Sequence, residues 1–350
     1  MKINDLEFYL VEIGRTDPEE PVRSLLVRLR TETGLHGWGE ARVPWRPGEL
    51  LARRKALLPV LAGRSIFDIE ELLTLEALSS APLRLAVEMA SWDLVGRATH
   101  QPLFHLLGGG YRRQIPMAVR LGGRRPERVA MLARAMAEQG FHALVLTSCG
   151  RLDGDLATLA AVRESAGQGT ELRLDGAAQY DAETARDLCA ELEYDSLQLF
   201  LDPVRGADVF SVATLARQTS IPLGIWRAIR SPTDVLITIR CGAVPYVVVD
   251  LERVGGLTPA RNCAAVAHAG GIRALLGGGP SLGTAAAAML HLAAAIPAFS
   301  SGNECAYHQL QDDVLAEPLN IVDGMMPVPQ GPGLGVRVDL AKVERYHVAQ

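Results

Sequence analysis

The stretch Tyr246-Val-Val-Val-Asp250, followed by Leu251-Glu-Arg-Val-Gly-Gly256 and then by helical spacing from Leu257, decides the fold of this chain. An apolar run that ends in a single aspartate is typical of a strand buried on both faces. When a helix of about 10 to 15 residues follows such a strand, the two form one βα unit of a parallel sheet.

The same unit recurs through the second two thirds of the chain. Short apolar runs alternate there with amphipathic helices, at Pro116 to Leu121, Ala143 to Thr147, Leu172 to Asp175, Leu197 to Leu201, Leu223 to Trp226, Tyr246 to Asp250, Arg273 to Leu276 and weakly near Ala298. Eight units over about 200 residues favour a closed β/α barrel, with any site at the C-terminal ends of its strands. A doubly wound open sheet is the alternative, and it is disfavoured because no run leads into a G-x-G-x-x-G turn.

The N-terminal part has a different pattern. Apolar and polar residues alternate over Lys2 to Ile13 and Val22 to Thr31, and Thr33-Gly34 turns the chain into His36-Gly-Trp-Gly-Glu40. Helical spacing then predicts three helices, at Leu50 to Leu61, Ile69 to Leu78 and Leu83 to Arg97. We therefore expect an α+β capping domain at residues 1–112, the barrel at residues 113–322, and a turn-rich segment returning to the cap at residues 323–350.

Composition excludes several classes of function. The 350 residues have a net charge of −5 and no basic block, so nothing indicates binding to nucleic acid or to a membrane surface. No apolar run reaches the roughly 18 residues of a membrane span, and no secretory signal follows Met1, which predicts a cytoplasmic protein. The five cysteines are never spaced as C-x-x-C, which argues against a disulfide framework and a zinc site.

Several segments carry a resemblance to a known family. They are Gly37-Trp-Gly-Glu40, Ala90-Ser-Trp-Asp-Leu-Val-Gly96, Gln101-Pro-Leu-Phe-His-Leu-Leu-Gly-Gly109, Arg253-Val-Gly-Gly-Leu-Thr258 and Gly331-Pro-Gly-Leu-Gly-Val336. In this order and spacing, the chain resembles the mandelate racemase and muconate lactonizing enzyme branch of the enolase superfamily. The resemblance implies a modified TIM barrel, (β/α)7β, with the N-terminal α+β capping domain, and a homo-oligomer.

The resemblance also implies a chemistry. Enzymes of this family remove the proton α to a substrate carboxylate with a lysine or histidine, while Mg²⁺ held by three carboxylates stabilises the enediolate. At the second strand, Val145 and Thr147 stand where the family has two lysines. At the third strand, Asp175 matches the first metal carboxylate.

The next strand ends depart further from the family. Leu201 stands at the second metal position, and Asp202, one residue along, is expected to point away from the barrel axis. Arg227 stands at the third metal position, after Trp226. With only Asp175 left of the three ligands, the sequence predicts that no cofactor is bound, with Mg²⁺ retained only if the conventional chemistry is retained.

Two further carboxylates are candidate acid–base groups. Asp250 matches a position that holds a lysine or an aspartate in the family, but its usual histidine partner is replaced by Gly277. Glu304 matches a glutamate that bonds substrate in racemase-like members. We expect Arg227 to bond both Asp175 and Asp250 in the volume that a metal would occupy.

Binding contacts are predicted from the loops around the mouth. Trp226, Arg227 and Trp45 are candidate substrate contacts, with Gly14 to Pro21 and Val43 to Gly48 as a lid. The glycine-rich turn Gly277 to Gly283 could hold an anion at a helix N-terminus, or could be only a tight loop.

The sequence therefore favours a divergent family member that binds a small carboxylate or other anion, or a metal-independent enzyme. The alternatives are a Mg²⁺-dependent isomerase (racemase, epimerase or cycloisomerase) or acid-sugar dehydratase, and a non-catalytic pseudoenzyme.

Overall fold

The computed structural model describes residues 1–16, 20–123, 125–192 and 197–348. The N-terminal part forms an antiparallel sheet of three strands, β1 (Ile3–Ile13), β2 (Val22–Thr31) and β3 (His36–Ala41), in that order. Four helices follow, namely α1 (Leu50–Leu61), α2 (Ile69–Leu73), α3 (Ala81–Thr99) and α4 (Leu103–Leu106). The second predicted helix is thus shorter than expected, because the chain turns after Leu73 and forms only a 3₁₀ turn at Glu76–Leu78.

Eight parallel strands form the barrel that the sequence predicts. They are β4 (Gln114–Leu121), β5 (Ala143–Thr147), β6 (Glu171–Asp175), β7 (Leu197–Leu201), β8 (Leu223–Ile225), β9 (Tyr246–Asp250), β10 (Arg273–Gly277) and β11 (Asn303–Glu304). Backbone pairing runs from β10 in descending order to β4 and then to β11. The ring is nearly closed, since the Leu276 N–H of β10 donates to the Asn303 side chain of β11 at 3.2 Å.

The weak eighth strand was placed wrongly near Ala298. It forms at Asn303–Glu304, where the two residues pair with Met117 and Ala118 of β4. So short a strand has too few residues to show an apolar period.

Helices surround the barrel between its strands. They are α5 (Pro126–Glu138), α6 (Leu152–Ala166), α7 (Ala182–Leu192), α8 (Val209–Ala216), α9 (Pro232–Cys241), α10 (Leu251–Val254), α11 (Leu257–Ala269) and α12 (Gly283–Ala295). Within the described ranges, no helix is both long and apolar enough to cross a membrane.

The C-terminal segment joins the two parts. Strand β12 (Met325–Pro327) pairs antiparallel with the start of β4, and the chain then passes α3 and α4, where the Leu103 N–H donates to the Gly333 carbonyl at 2.8 Å. After α13 (Leu340–Tyr346), the Val348 N–H donates to the Leu10 carbonyl of β1 at 2.8 Å. The segment that follows the barrel therefore lies against the cap.

Buried carboxylates of the cap hold backbone N–H groups across the seam between cap and barrel. Glu40, at the end of β3, accepts from Leu282 and Ala285 at the start of α12, at 2.7 and 2.9 Å. Glu88 of α3 accepts from Leu257 and Thr258 at the start of α11, at 2.6 and 2.8 Å. A carboxylate at a helix N-terminus satisfies donors that the helix itself leaves free.

A third buried carboxylate of the cap holds the C-terminal segment instead of the barrel, and we count its contacts as part of the seam. Asp93 of α3 accepts from the backbone of Trp38 at 3.0 Å and of Leu334 at 2.8 Å. Strand β3 lies directly on α3, since a Cβ added at Gly39 would come within 1.8 Å of the Ala86 carbonyl oxygen. The motifs that carry the family resemblance therefore supply the seam.

Candidate anion site at the barrel mouth

Four carboxylates meet at the C-terminal ends of the barrel strands. Asp175 ends β6, Asp202 follows β7, Asp250 ends β9 and Glu304 lies in β11. All four are buried, with at most 8% of each residue exposed. Buried carboxylates need a partner or a raised pKa, so the groups that face them decide the chemistry of the mouth.

Arg227 binds two of these carboxylates. Its Nη1 donates to Asp175 Oδ1 at 2.7 Å and to Asp202 Oδ2 at 2.9 Å, and its Nη2 donates to Asp175 Oδ2 at 3.0 Å. The pair with Asp175 is bidentate, the geometry in which a guanidinium and a carboxylate match best. The expected contact between Arg227 and Asp175 is confirmed, and Asp202 is a further partner.

Arg120, on the first barrel strand, is a second cation that sequence reasoning missed. Its Nε and Nη2 donate to the two oxygens of Glu304 at 2.5 and 3.0 Å, and its Nη1 donates to Asp175 Oδ2 at 2.9 Å. A usable signal was present, because a charged residue within an apolar strand buried on both faces is rare unless it is paired. Charges thus alternate in the order Glu304, Arg120, Asp175, Arg227, Asp202.

The prediction that Asp202 points away from the barrel axis is wrong. Asp202 lies just beyond the end of β7 with a φ of +39°, so the alternation of a strand does not apply to it. Its carboxylate accepts the backbone N–H groups of Trp226 and Arg227 at 3.0 and 2.9 Å in addition to the Arg227 side chain. Leu201, at the position to which the resemblance assigns a metal ligand, belongs to an apolar cluster with Leu199 and Trp226.

The prediction that Asp250 shares Arg227 with Asp175 is also wrong. Asp250 Oδ2 accepts the indole Nε1–H of Trp226 at 3.3 Å, and Oδ1 accepts the backbone N–H of Glu252 at 3.0 Å. The other charged neighbour is Arg253, with Nε at 3.6 Å from Oδ2. Asp250 is the last residue of β9, next to β8, and its carboxylate is bonded by the Trp226 side chain where the guanidinium was expected.

The partners set opposite pKa shifts for the mouth carboxylates. Burial disfavours ionisation of Asp175, but the hydrogen bonds and charges of Arg227 and Arg120 outweigh it and lower the pKa of Asp175. Burial raises the pKa of Asp250 to about 6, and the charge of Glu252 adds to the effect. Asp175 therefore keeps its negative charge more readily than a free aspartate does, whereas Asp250 can hold or release a proton near neutral pH.

A cavity of about 50 Å³ lies beside Asp250. Its polar lining consists of Asp250, Glu252, Ser281, Glu304, Cys305 and the backbone of Gly277 to Gly279. This volume has room for about three water molecules. Both candidate acid–base groups, Asp250 and Glu304, thus face one small space.

The residues at the mouth do not fit a magnesium ion. Mg²⁺ takes oxygen ligands, but both oxygens of Asp175 are bonded by guanidiniums, and the two positions to which the resemblance assigns further metal ligands hold the apolar Leu201 and the cation Arg227. Over the part of the chain that the structure describes, no group of three or more His, Cys, Asp or Glu side chains is arranged to hold a metal ion.

Two further binding features were predicted, a substrate contact at Trp45 and a lid made of two loops. Trp45 is 7% exposed and packs against Phe8 of the cap with ring centroids 5.7 Å apart, beneath the Arg53 guanidinium. The expected substrate contact at Trp45 is therefore replaced by a place in the core of the capping domain. Of the two predicted lid loops, the first contains residues 17–19, which lie outside the described residues.

The glycine-rich turn does not offer a free helix N-terminus. The N–H groups that begin α12 donate to Glu40, as described above, and to Asp313 Oδ1, which accepts from Gly283 at 3.0 Å. Two protein carboxylates thus take the place that the sequence suggested for a bound anion.

A barrel of eight parallel strands under an α+β cap, with its charged side chains at the C-terminal strand ends, defines the class of capped β/α-barrel proteins. Within that class, the chain belongs to the mandelate racemase and muconate lactonizing enzyme branch of the enolase superfamily. Residues 128–343 match the family model described as enolase C-terminal domain-like, and residues 18–108 match the mandelate racemase/muconate lactonizing enzyme N-terminal domain.

Three relatives place the chain more closely. It is 29% identical over 339 residues to muconate cycloisomerase 1 of Rhodococcus opacus, covering 92% of this chain and 90% of that protein. It superposes with a TM-score of 0.88 and 29% identity on an isomerase from Streptomyces coelicolor A3(2), covering 99% and 96% of the two chains. An enolase from Mycobacterium smegmatis, complexed with formate and acetate, superposes with a TM-score of 0.90 at 25% identity over 99% and 91%.

Proposed function

We propose that the barrel mouth binds a small carboxylate at Arg227 without a divalent cation. The observation that carries the proposal is the number of donors left on this guanidinium. Of its five N–H groups, three are taken by Asp175 and Asp202. The Nε–H and one Nη2–H have no acceptor among the described residues, and 26% of the side chain is exposed.

The second guanidinium supports the same proposal. Arg120 directs three donors at Glu304 and Asp175 and a fourth at Thr147, which leaves one Nη2–H without an acceptor in the described ranges. Both cations bond Asp175. Guanidiniums are suited to carboxylates because their donors match the spacing of the two oxygens. The relative complexed with formate and acetate is consistent with such a ligand.

A metal-independent reaction is the catalytic form of this proposal. Asp250, when ionised, accepts the proton α to the bound carboxylate on a carboxylate oxygen, and the electron pair of the broken C–H bond moves toward that carboxylate. The guanidiniums of Arg227 and Arg120 stabilise the charge that develops there. Return of the proton from Asp250 restores the enzyme. Glu304, held by both oxygens on Arg120, serves as a hydrogen-bond acceptor for substrate.

The relatives favour a second candidate, a Mg²⁺-dependent isomerase. Two of the three are a muconate cycloisomerase and an isomerase by name, and the family resemblance implies a metal for such chemistry. An acid-sugar dehydratase belongs to the same alternative. The donor set at the mouth supports the metal-independent proposal, and the two candidates differ in what Mg²⁺ does.

Binding of acetate tests the proposal. We expect acetate to bind the wild-type protein equally with Mg²⁺ and with EDTA, and Arg227→Met to weaken binding at least tenfold. Arg205→Met is the matched control, because Arg205 is an exposed arginine on the loop after β7 whose Nη2 donates to the Gln179 carbonyl at 3.3 Å. Its affinity for acetate should equal that of the wild type.

The opposite outcomes are equally clear. Mg²⁺ bound at Asp175, with Mg²⁺-dependent deuterium exchange at the α-carbon of a carboxylic acid, would establish the second candidate. Absence of acetate binding would contradict the first candidate, and absence of both acetate and Mg²⁺ binding would leave a non-catalytic pseudoenzyme.

A further inference from the structure

Trp226 lies between the proton-holding group and the cations of the mouth. Its indole Nε1–H donates to Asp250 Oδ2 at 3.3 Å. The guanidinium carbons of Arg227 and Arg120 lie 4.8 and 5.2 Å from the centre of its ring. One side chain therefore contacts Asp250 and both arginines, which do not bond Asp250 themselves.

The Trp226 ring is held in place by its packing and by its backbone. It packs in the barrel interior against Leu199, Leu201 and Val248, and 8% of Trp226 is exposed. Its backbone N–H donates to Asp202, the carboxylate that also bonds Arg227. Because close-packed interiors leave little room for another rotamer, the indole N–H has a fixed direction.

That fixed direction constrains Asp250. An indole nitrogen only donates, so the oxygen that faces it must accept. The other oxygen of Asp250 caps α10 through the Glu252 N–H, and the carboxylate is thereby fixed at both ends. Fixed geometry of this kind is what a group requires if it is to exchange a proton with a ligand held elsewhere.

We propose that Trp226 is a positioning residue, which orients the Asp250 carboxylate toward an anion held by Arg227 and Arg120. This inference rests on the proposed function, in which Asp250 exchanges a proton with the bound carboxylate. The sequence suggested Trp226 as a direct substrate contact, whereas its hydrogen bond and ring contacts give it a role through Asp250.

The groups around Asp250 determine in which direction its pKa should change when the indole is removed. Glu252 disfavours its ionisation, whereas Arg253 and Arg42 favour it, and Glu304 lines the same cavity. Burial is the largest influence and raises the pKa of Asp250 to about 6. Removal of the indole donor removes a bond to the charged form, so the pKa of Asp250 should rise further.

Nitrogen-15 NMR of the indole groups reads this contact directly. The chain has four tryptophans, and Trp226→Phe identifies the signal of Trp226 by its loss. We expect this signal to shift with pH in the wild type, with a midpoint near the pKa of Asp250, and to stay constant from pH 5 to 8 in Asp250→Asn. A Trp226 signal that does not respond to pH in the wild type would overturn the proposal.

Carbon-13 NMR of the Asp250 carboxyl tests the same contact from the other side. Trp226→Phe keeps a ring beneath the guanidiniums and should raise the pKa of Asp250 by about one unit. Trp38→Phe is the matched control, because Trp38 is also a buried ring beneath an arginine, Arg28 at 5.4 Å, but lies in the cap. An unchanged pKa in Trp226→Phe, or an equal rise in Trp38→Phe, would show that Trp226 has only a structural role.

The inference and the proposed function fail separately. Both NMR experiments are done without ligand, so loss of acetate binding leaves their results readable. Conversely, acetate could bind through Arg227 while the Trp226 signal does not change with pH. That result would support the proposed function and contradict the positioning role of Trp226.

Discussion

The seam between cap and barrel and the mouth of the barrel both consist of buried carboxylates, yet the two regions pair them differently. At the seam, Glu40, Glu88 and Asp93 each accept at least two backbone N–H groups. At the mouth, Asp175 and Glu304 are paired chiefly with guanidiniums. Asp93 also bonds Arg97 and Asp202 also accepts two backbone N–H groups, so the two regions differ in the balance of their partners and not in the kind of carboxylate.

The difference has a physical reason. Backbone N–H groups are present whatever the sequence, and a carboxylate that accepts from them stabilises one path of the chain. Each of these N–H groups has a single hydrogen, so none is left to bind a ligand. A guanidinium has five donors and brings a charge, so a carboxylate paired with it leaves donors over for a second anion. The seam therefore serves the fold, and the mouth is where a small anion can bind.

The largest expected effect is at the seam. Asp93→Ala removes an acceptor from two backbone N–H groups and from the Arg97 side chain, which bonds Asp93 at 2.9 Å. Because the two backbone N–H groups stay buried without a partner and Arg97 loses its paired charge, we expect the free energy of unfolding to fall by about 3 to 5 kcal/mol. Urea denaturation followed by circular dichroism measures the loss.

A cap with a single backbone bond near the surface is the control for that experiment. Asp339 at the start of α13 accepts from the Ala341 N–H at 2.9 Å, and Asp339→Ala should cost about 1 kcal/mol. Equal losses in the two variants would mean that burial at the seam adds nothing to an ordinary helix cap.

Most of the fold was predictable from the sequence, because strands buried on both faces leave a clear apolar pattern. Strands such as β5, β7 and β9 are mostly apolar because both faces are buried, and their predicted and observed bounds agree. The eighth strand was misplaced because its two residues leave no pattern. The bounds of β8 and α2 differ where a turn, which depends on tertiary contacts, ends the element early.

The site was predictable only in part. The pair of Arg227 with Asp175 followed from the residues at two strand ends. Arg120 was missed because it lies within a strand whose pattern reads as core. The partners of Asp250 and Asp202 could not be derived, since they depend on the size of Trp226 and on the positive φ of Asp202, and neither is visible in strand periodicity.

A smaller effect is expected at the mouth, and its sign depends on pH. Burial raises the pKa of Asp250 from 3.8 to about 6, so the unfolded chain releases this proton more readily than the folded one. The contribution of Asp250 to stability is therefore fully present below pH 3.8 and is lost as the pH rises through 6. Between pH 3.5 and pH 8 the loss amounts to about 3 kcal/mol.

Asp250→Asn does not titrate and isolates that contribution. The free energy of unfolding of the wild type, minus that of Asp250→Asn, should fall by the stated amount as the pH rises through this range. Asp312→Asn is a control of opposite sign, because bonds from Lys342 and Tyr346 lower the pKa of Asp312 to about 2. A difference between wild type and Asp250→Asn that is constant with pH would contradict the raised pKa of Asp250.

The smallest effect is expected at a contact that lies at the seam but, as at the mouth, pairs a carboxylate with a guanidinium. Arg42, just after β3 of the cap, donates through Nη2 to Glu252 of the barrel at 2.6 Å, and its side chain is 36% exposed. A Cβ at Gly279 would come within 2.2 Å of Arg42 Nη1. Gly279→Ala should therefore displace the flexible guanidinium and cost about 0.5 kcal/mol, as an exposed ion pair does.

A double-mutant cycle tests whether that cost arises only from the displaced Arg42 side chain. If Gly279 acts only by admitting Arg42, then Gly279→Ala should have no effect in an Arg42→Met background, and both single variants should lose the same small amount in thermal denaturation. Additive losses would mean that Gly279 has another role. A loss as large as that of Asp93→Ala would mean that position at the seam, and not the kind of partner, determines how much a carboxylate stabilises this fold.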